Sequence, residues 1–444
     1  MTTVPRRAYD AELLPASAAT PDLIVDDTEE ALAHACLPAE EQAPQAPVVR
    51  RTRVAGLDLA RALAVLGMMT VHLTPLLTRD GLRPIAWIIT SGNSAALFAV
   101  LAGVGVGLTT GRDRPPRGRR WVGATLNLVV RTLFIGTLGL LLGFFVDASV
   151  ASIILPTYAV LFVMLIPVLR AGARIDMALG IAVAIGAPLL SHVIRRTWAL
   201  RGSAGLEVNP NLTLLDLVTN PAGAGTALML TGTFPALTWF AYTCFGLGIG
   251  RTAIARRHVA ASLLAIGAFL AGVASLAGWL LMDVVGGRRE LAAAAARSMS
   301  LEAYTDILVW GADGTLPTTT RWWNAVLAPH TGTPLDLLFT LGVATGVLGL
   351  CLIVGRVVER PLRPLTLLGS MPLSAYVAHL IMLQIPGLGN AGWWSLGAQF
   401  VILVVAASLW RLWFARGPLE MVLGVFTAMI KRWTQAGGNA SARA

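Results

Sequence analysis

Runs of about twenty residues with almost no charge recur along the whole chain after residue 54, and no other feature limits its fold as strongly. Ten such runs stand out, at 55–77, 86–110, 122–145, 150–169, 176–194, 228–250, 259–283, 335–357, 371–388 and 392–414. A helix rises about 1.5 Å per residue, so ~20 apolar residues cross the ~30 Å hydrocarbon layer of a bilayer. No water is available there to bond the backbone, and each run must close its own hydrogen bonds as helix. The expected fold class is therefore all-α, a polytopic transmembrane helix bundle of about ten spans. Charge supports this. Only 13% of residues are charged, against about a quarter in soluble domains, so lipid must cover most of the surface.

The ends differ from the middle. Residues 1–50 hold nine carboxylates and three arginines, a net of −6 in a chain of formal charge +10. They are rich in Ala and Pro, have no signal-peptide core, and suggest a disordered acidic cytoplasmic tail. The bundle is expected over 51–434 and a disordered C-terminus over 435–444. Within the bundle, the stretch 417–430 suits either an interfacial helix or a short eleventh span.

Arginine gathers in alternate connections: Arg50, Arg51 and Arg53; Arg112 to Arg120; Arg170 and Arg174; Arg251, Arg256 and Arg257; Arg356, Arg360 and Arg363; Arg416, followed by the single lysine, Lys431. The positive-inside rule places both termini in the cytoplasm of a plasma (inner) membrane. It also explains the basic charge without a nucleic-acid partner. The three cysteines form no CxxC pair and no disulfide framework, so no metal is expected. Two outer connections, 195–227 and 284–334, are long enough to be lids, acceptor-binding elements or simple covers. The second contains the Ala-rich stretch Leu291–Ser300 and Arg321-Trp322-Trp323, a pattern that suits a headgroup-level anchor.

Ionisable groups inside a span are costly and mark candidate functional sites. Span one carries Asp58, Arg61 and His72. Asp58 and Arg61 are one turn apart and can pair on one face. Arg61 and His72 are eleven residues apart, ~1,100° of rotation, so they share a stripe with ~16 Å between them along the axis. The plainer reading is an ion pair that staples the bundle and a satisfied interfacial histidine. Polar residues recur elsewhere: Asn93 and Ser94 in a Ser-Gly-Asn-Ser break of span two, Tyr158 in span four, Thr231-Gly232-Thr233 at the entry of span six, His330-Thr331-Gly332-Thr333 at the entry of span eight, and Tyr376 and His379 on one face of span nine. For His379, a core hydrogen bond to a neighbouring carbonyl is the favoured role. Gly103, Gly105 and Gly107, like Gly246, Gly248 and Gly250, lie inside apolar helices, where close packing explains them better than phosphate binding.

The stretch Gly56-Leu57-Asp58-Leu59-Ala60-Arg61 through Met68 resembles the first-helix motif of bacterial heparan-α-glucosaminide N-acetyltransferase-like proteins. It also resembles a related family of the transmembrane acyltransferase superfamily. Ser91–Gly103, Thr231–Tyr242, His330–Pro334, Pro364–Tyr376 and Arg416–Glu420 are similar to actinobacterial members of that group. The heparan-type first helix usually carries Asn where this chain has His72, with its catalytic His slightly later. Arg61 followed by His72 is similar instead to the Arg–His signature of integral-membrane O-acyltransferases, in which the His is essential.

The resemblance implies an acyltransferase: acyl-CoA, acetyl-CoA above all, enters from the cytoplasm, and a hydroxyl or amine of an envelope glycan or glycolipid accepts from the outer side. His72 would be the general base or a transiently acylated nucleophile. Asp58 would hold Arg61 toward the donor. Asn93, Ser94, Tyr158, His330, Thr333, Tyr376 and His379 would bind substrate. The residues alone equally admit a transporter or flippase of an envelope precursor, or a non-catalytic scaffold, and leave homo-oligomerisation open.

Overall fold

A computed structural model describes residues 54–74, 82–201, 208–312, 315–358, 360–389 and 392–441. The acidic tail lies outside the described residues. Every element among the described residues is helical: α1 (Ala55–Leu73), α2 (Ile85–Thr90), α3 (Asn93–Thr109), α4 (Arg119–Leu142), α5 (Leu155–Leu165), α6 (Ala173–Arg201), α7 (Leu214–Thr219), α8 (Pro221–Thr226), α9 (Ala236–Gly250), α10 (Arg257–Trp279), α11 (Gly287–Ala295), α12 (Leu301–Trp310), α13 (Pro334–Val357), α14 (Arg363–Gly369), α15 (Pro372–Leu383), α16 (Trp393–Trp413) and α17 (Pro418–Ser441).

All ten apolar runs contain a helix, but not all of those helices are long enough to cross a membrane. Seven spans qualify by length and composition, counting α2 with α3 and α10 with the π-turn that follows it. An eighth arises if α14 and α15, bent by 86° at Ser370-Met371, form one broken span. The others of the ten, α5 with 11 residues and α9 with 15, are too short alone. Proline sets these limits. Pro156 opens α5 and Pro167 lies just beyond its end, Pro235 precedes α9, and Pro372 opens α15. A proline ring starts a helix well but removes an N–H and clashes inside one.

Helix α1 is central. It packs against α3, α13 and α14 and touches α2, α15 and α16. Helices α3 and α9 cross where glycines leave room for backbone contact: a Cβ on Gly107 would overlap Gly250 and one on Gly246 would overlap Val100. The glycine pairs are thus a packing device. Gly105, on another face of α3, looks instead toward the Arg61 guanidinium.

The 284–334 connection is a folded cap. Helices α11 and α12 and a 3-10 turn at Arg321–Ala325 enclose a core of their own that includes Leu291, Leu316, Trp323 and Val326. Trp323 is fully buried and donates through Nε1 to Thr319 Oγ1. It is not a headgroup anchor, because the cap has apolar surface of its own to bury and the indole fills it. Arg83, before α2, ties the bundle to this cap: its guanidinium lies over the rings of Trp87 and Trp310 and donates to the Val309 carbonyl.

The last helix, α17, exposes Met421, Val422, Val425, Phe426 and Met429 while packing against α4 and α15. Its Glu420 carboxylate accepts from the Leu373 and Ser374 N–H groups at 2.8 and 3.2 Å and from Ser374 Oγ. The N-terminus of α15 is therefore capped by a distant carboxylate, favourably placed against the helix dipole.

Candidate functional site

The pair expected from local spacing forms. Arg61 Nη1 donates to Asp58 Oδ1 at 3.0 Å, with the Asp58 side chain buried and the Arg61 side chain 22% exposed. Sequence reasoning passed over a second arginine at this level. Arg131 on α4 donates through Nε to Asn127 Oδ1 at 2.9 Å and is close enough to Arg61 for their charges to interact. Its signal was a lone charge in mid-span.

The more consequential contact joins helices far apart in sequence. His72, in the last turn of α1, meets His379 of α15, with Nδ1 and Nε2 3.0 Å apart and ring planes within 4°. His379 Nδ1 is 2.7 Å from Gln399 Oε1, and Gln399 Nε2 donates to the Leu388 carbonyl at 2.7 Å. His379 and Gln399 are fully buried. Proton positions follow from this network. The Leu388 oxygen only accepts, so the Gln399 amide nitrogen must face it and the amide oxygen must face His379. His379 Nδ1 then carries a proton, and the Nε2 of the neutral ring accepts. His72 must donate from Nδ1 to His379 Nε2. Its own Nε2 keeps its lone pair and has no partner among the described residues, in a ring that is partly exposed. The chain of bonds selects one tautomer at each histidine and leaves one basic nitrogen at its end.

The core hydrogen bond expected for His379 is there, to the amide carbonyl oxygen of Gln399, and the contact with His72 is added to it. Its partners are two side chains, and the backbone carbonyl lies one bond further on. The cause is α16, which presents Gln399, its one side-chain amide, toward α15. That polar residue was the available signal, and it was missed.

Other predicted residues gather around this core to different degrees. Ser94 seats against Gly67 of α1, where any side chain would displace it. Asn93 donates through Nδ2 to the Ile89 carbonyl at 3.1 Å, leaving its buried Oδ1 without a bonded partner. Between α2 and α3, Gly92 adopts φ 71° and lies against Pro329 and His330 of the turn before α13. His330 itself has φ 56°, packs edge-on to Phe234 with ring centroids 5.8 Å apart, and stands within electrostatic reach of His72. The two Thr-Gly-Thr turns therefore meet through Phe234 and His330. Thr333 has a structural place: its hydroxyl accepts from the Asp336 N–H at 3.0 Å and donates to the Val326 carbonyl at 2.7 Å, capping α13. Asp336 holds the turn by accepting from the Gly332 N–H at 2.9 Å. Tyr158 and Tyr376 form a separate cluster on either side of Phe98, with centroids 5.7 and 6.1 Å from its ring. Tyr376 OH accepts from the Ile154 N–H at 3.4 Å, while the buried Tyr158 hydroxyl has no hydrogen-bond partner.

The arrangement leaves a nitrogen lone pair at the end of an orienting chain of bonds, a buried hydroxyl without a partner, and a paired arginine deeper along the same helix. Residues 53–283 match the family described as heparan-alpha-glucosaminide N-acetyltransferase, catalytic. The matched stretch takes in Asp58, Arg61, His72, Asn93, Ser94 and Tyr158; His330, Thr333, Tyr376, His379 and Gln399 lie beyond it. No curated protein matches the chain.

Proposed function

The chain belongs to the heparan-alpha-glucosaminide N-acetyltransferase catalytic family, and on that premise we propose that it is an integral membrane acyltransferase using cytoplasmic acyl-CoA. The acyl group, acetyl by family likeness, passes to a hydroxyl or amine of an extracytoplasmic envelope glycan or glycolipid. The observation that carries this reading is the His72–His379–Gln399 chain of bonds. In the direct route the acceptor O–H or N–H gives its proton to His72 Nε2 while its oxygen or nitrogen attacks the thioester carbonyl. The C–S bond then breaks, and the CoA thiolate takes the proton back from the imidazolium. His379 and Gln399 hold the reactive tautomer and spread the positive charge that forms. In the two-step route the same lone pair attacks the carbonyl and the C–S bond breaks to release the CoA thiolate; the acceptor then attacks the acyl-imidazole, breaking the C–N bond and giving its proton to the thiolate. Either route needs Nε2 open, which the relay secures.

Asp58 keeps Arg61 oriented, so its charge meets the donor. The free Tyr158 hydroxyl suits the developing oxyanion, for which a single donor contributes about 10²–10³ in rate. Asn93, Ser94 and His330 line the break and turn nearest His72 and are assigned to the acceptor.

The test is turnover of labelled acetyl-CoA by His72→Asn, with thermal stability recorded in parallel. Asn keeps a hydrogen bond to His379 and cannot take a proton at neutral pH. Turnover should fall by at least about 10²–10⁴-fold with little change in melting temperature. Turnover at the wild-type rate would remove His72 from the chemistry, and wild-type transport of an acceptor without acylation would replace the enzyme reading with a carrier.

A further inference from the structure

The turn before α13 has an uncommon backbone. His330 has φ 56° and Gly332 has φ 59°, on either side of Thr331. Glycine adopts this left-handed region freely, whereas another L-residue pays about 1–2 kcal/mol for it. Among the described residues, Arg112 is the one other non-glycine there, and it lies at an exposed turn after α3. His330 is half-buried, beside Gly92 of the break before α3 and against the ring of Phe234. A glycine at this position would relieve the backbone and lose the imidazole.

Asp336 accounts for the turn. Backbone that alternates into the left-handed region aims successive N–H groups at one concave side, where an anion can sit. Here the anion belongs to the chain. Asp336 Oδ2 accepts from the Gly332 N–H at 2.9 Å, and the Thr331 N–H is also within bonding reach. The Asp336 residue is buried, at 4% exposure. Capping α13 does not by itself require this arrangement. The same Thr-x-x-Asp spacing opens α7, where it closes a complete capping box: Asp216 Oδ2 accepts from the Thr213 N–H at 2.8 Å and Thr213 Oγ1 accepts from the Asp216 N–H at 3.3 Å. At α13, Thr333 Oγ1 accepts from the Asp336 N–H in the same way, but the carboxylate closes on Gly332, one residue further back. Its bond therefore holds the turn. The turn is wedged from the cap as well, because Gly311 packs so closely on the Pro329 carbonyl that a Cβ there would overlap it. His330, next along the chain, stands within electrostatic reach of His72.

We infer that Asp336 is a positioning residue for the transfer reaction: by drawing the turn amides onto its buried carboxylate, it locks His330 in the left-handed conformation that presents the imidazole to the acceptor beside His72. The inference rests on the acyl-transfer reading for the acceptor. Burying a carboxylate is costly unless its bonds are needed, and holding a strained residue next to a reactive group is one such need.

The full-length protein in nanodiscs would be compared with Asp336→Leu, Asp336→Asn, His330→Asn and the two double variants. The acceptor probe is glucosamine, which carries both hydroxyls and an amine. Asp336→Leu keeps the volume and removes the partner of the Gly332 N–H. Amide exchange should rise over residues 330–333 and stay low along α13. The KM for glucosamine should rise about 10–100-fold, with the KM for acetyl-CoA unchanged. Asp336→Asn still accepts through its amide oxygen and should leave a rise of only a few-fold. Asn tolerates left-handed backbone, so His330→Asn keeps the turn and removes the ring. On that background Asp336→Leu should add no further rise in KM. If Asp336→Leu does not fold, Asp336→Asn with and without His330→Asn decides, because its smaller rise should vanish in the same way. An unchanged KM for glucosamine in the Asp336 variants would make Asp336 a helix cap and overturn the inference, as would additive effects at the two positions. The acyltransferase reading fails separately: exchange that follows Asp336 as expected, in a protein that transfers acetyl groups to no acceptor, keeps the hold on the turn and loses the reaction.

Discussion

Two buried polar assemblies in this bundle resemble each other in cost and differ in access. Asp176, near the start of α6, faces Arg251, just past the end of α9, at 2.6 Å, with side chains 0% and 1% exposed. Arg251 Nη2 also donates to the Leu169 carbonyl at 2.7 Å. The assembly ties α6, α9 and the turn after α5 together and offers nothing to a ligand. The His72–His379–Gln399 chain is equally cut off at one end, where Gln399 meets a backbone carbonyl, but its other end is a lone pair in a partly exposed ring. Desolvating polar groups is expensive in both places. In the first, the cost is offset by bonds that hold helices. Asp176 Oδ1 and Arg251 Nη1 there also lack hydrogen-bond partners but are sealed from solvent; in the second the open nitrogen lies in a partly exposed ring, and that access distinguishes a site from a staple. Four substitutions probe this contrast.

The largest effect on folding should come from the staple. Arg251→Gln leaves the Asp176 carboxylate buried without its countercharge, and such losses cost about 3–5 kcal/mol. Yield of folded protein and melting temperature should drop sharply, while turnover per folded molecule stays near wild type. The double change Asp176→Leu with Arg251→Leu should recover much of the loss. If turnover per folded molecule falls as well, the two assemblies are coupled and the contrast breaks down.

Gln399→Leu should show the opposite signature. It strands the His379 Nδ1–H, at about 1–3 kcal/mol, and frees both histidines to change tautomer. Turnover should fall about 10–100-fold, as for other supporting contacts behind a reactive group. Combined with His72→Asn it should add no further loss of turnover, because both act on one proton path. Additive losses would place Gln399 outside the relay.

Asp58→Asn should fall between these cases. Arg61 is partly exposed, so the destabilisation should be about 1–2 kcal/mol, below that of a fully buried pair. Its clearer effect should be on the apparent KM for acyl-CoA, measured at fixed acceptor. An unchanged KM with lost stability would make Asp58–Arg61 a second staple.

Glu420→Gln should have the smallest effect. The amide still reaches the N-terminus of α15 but loses the charge that complements the helix dipole, at about 0.5–1 kcal/mol. Amide hydrogen exchange should rise in the first turn of α15 and stay unchanged in α1. Protection lost across both helices would mean that Glu420 governs the relay itself.

The helical bundle was legible because hydropathy and backbone chemistry act over a few residues, whereas the limits that Pro156, Pro167 and Pro235 set on α5 and α9 fall inside the expected spans and were passed over. Asp58–Arg61 was legible for the same reason, being one turn apart on one helix. So was the packing role of the glycines, since Gly103 and Gly107 repeat at the spacing of one helix face. The burial of Trp323 was not, because the pattern that marks an interfacial anchor also marks a residue under a folded cap. Only the apolar neighbours supplied by Leu291, Leu316 and Val326 decide between them.

By itself the sequence determined the material of this protein: helices, their apolar lengths, the arginine-rich connections, and histidines placed within apolar spans. The tertiary structure decided which of those groups meet. His72 and His379 are 307 positions apart, and His379 and Gln399 sit on different helices separated by a turn. Whether two such side chains touch depends on the rotation and crossing of each helix, and that is settled by the packing of every neighbour at once. Arg251 makes the same point: basic residues in a connection predict which side of a membrane it occupies, but only the approach of α6 gives this one a carboxylate at 2.6 Å. Local pattern sets where charge and hydrogen-bonding groups can exist in a membrane, and the packed bundle sets which of them are closed off and which keep a bond to offer.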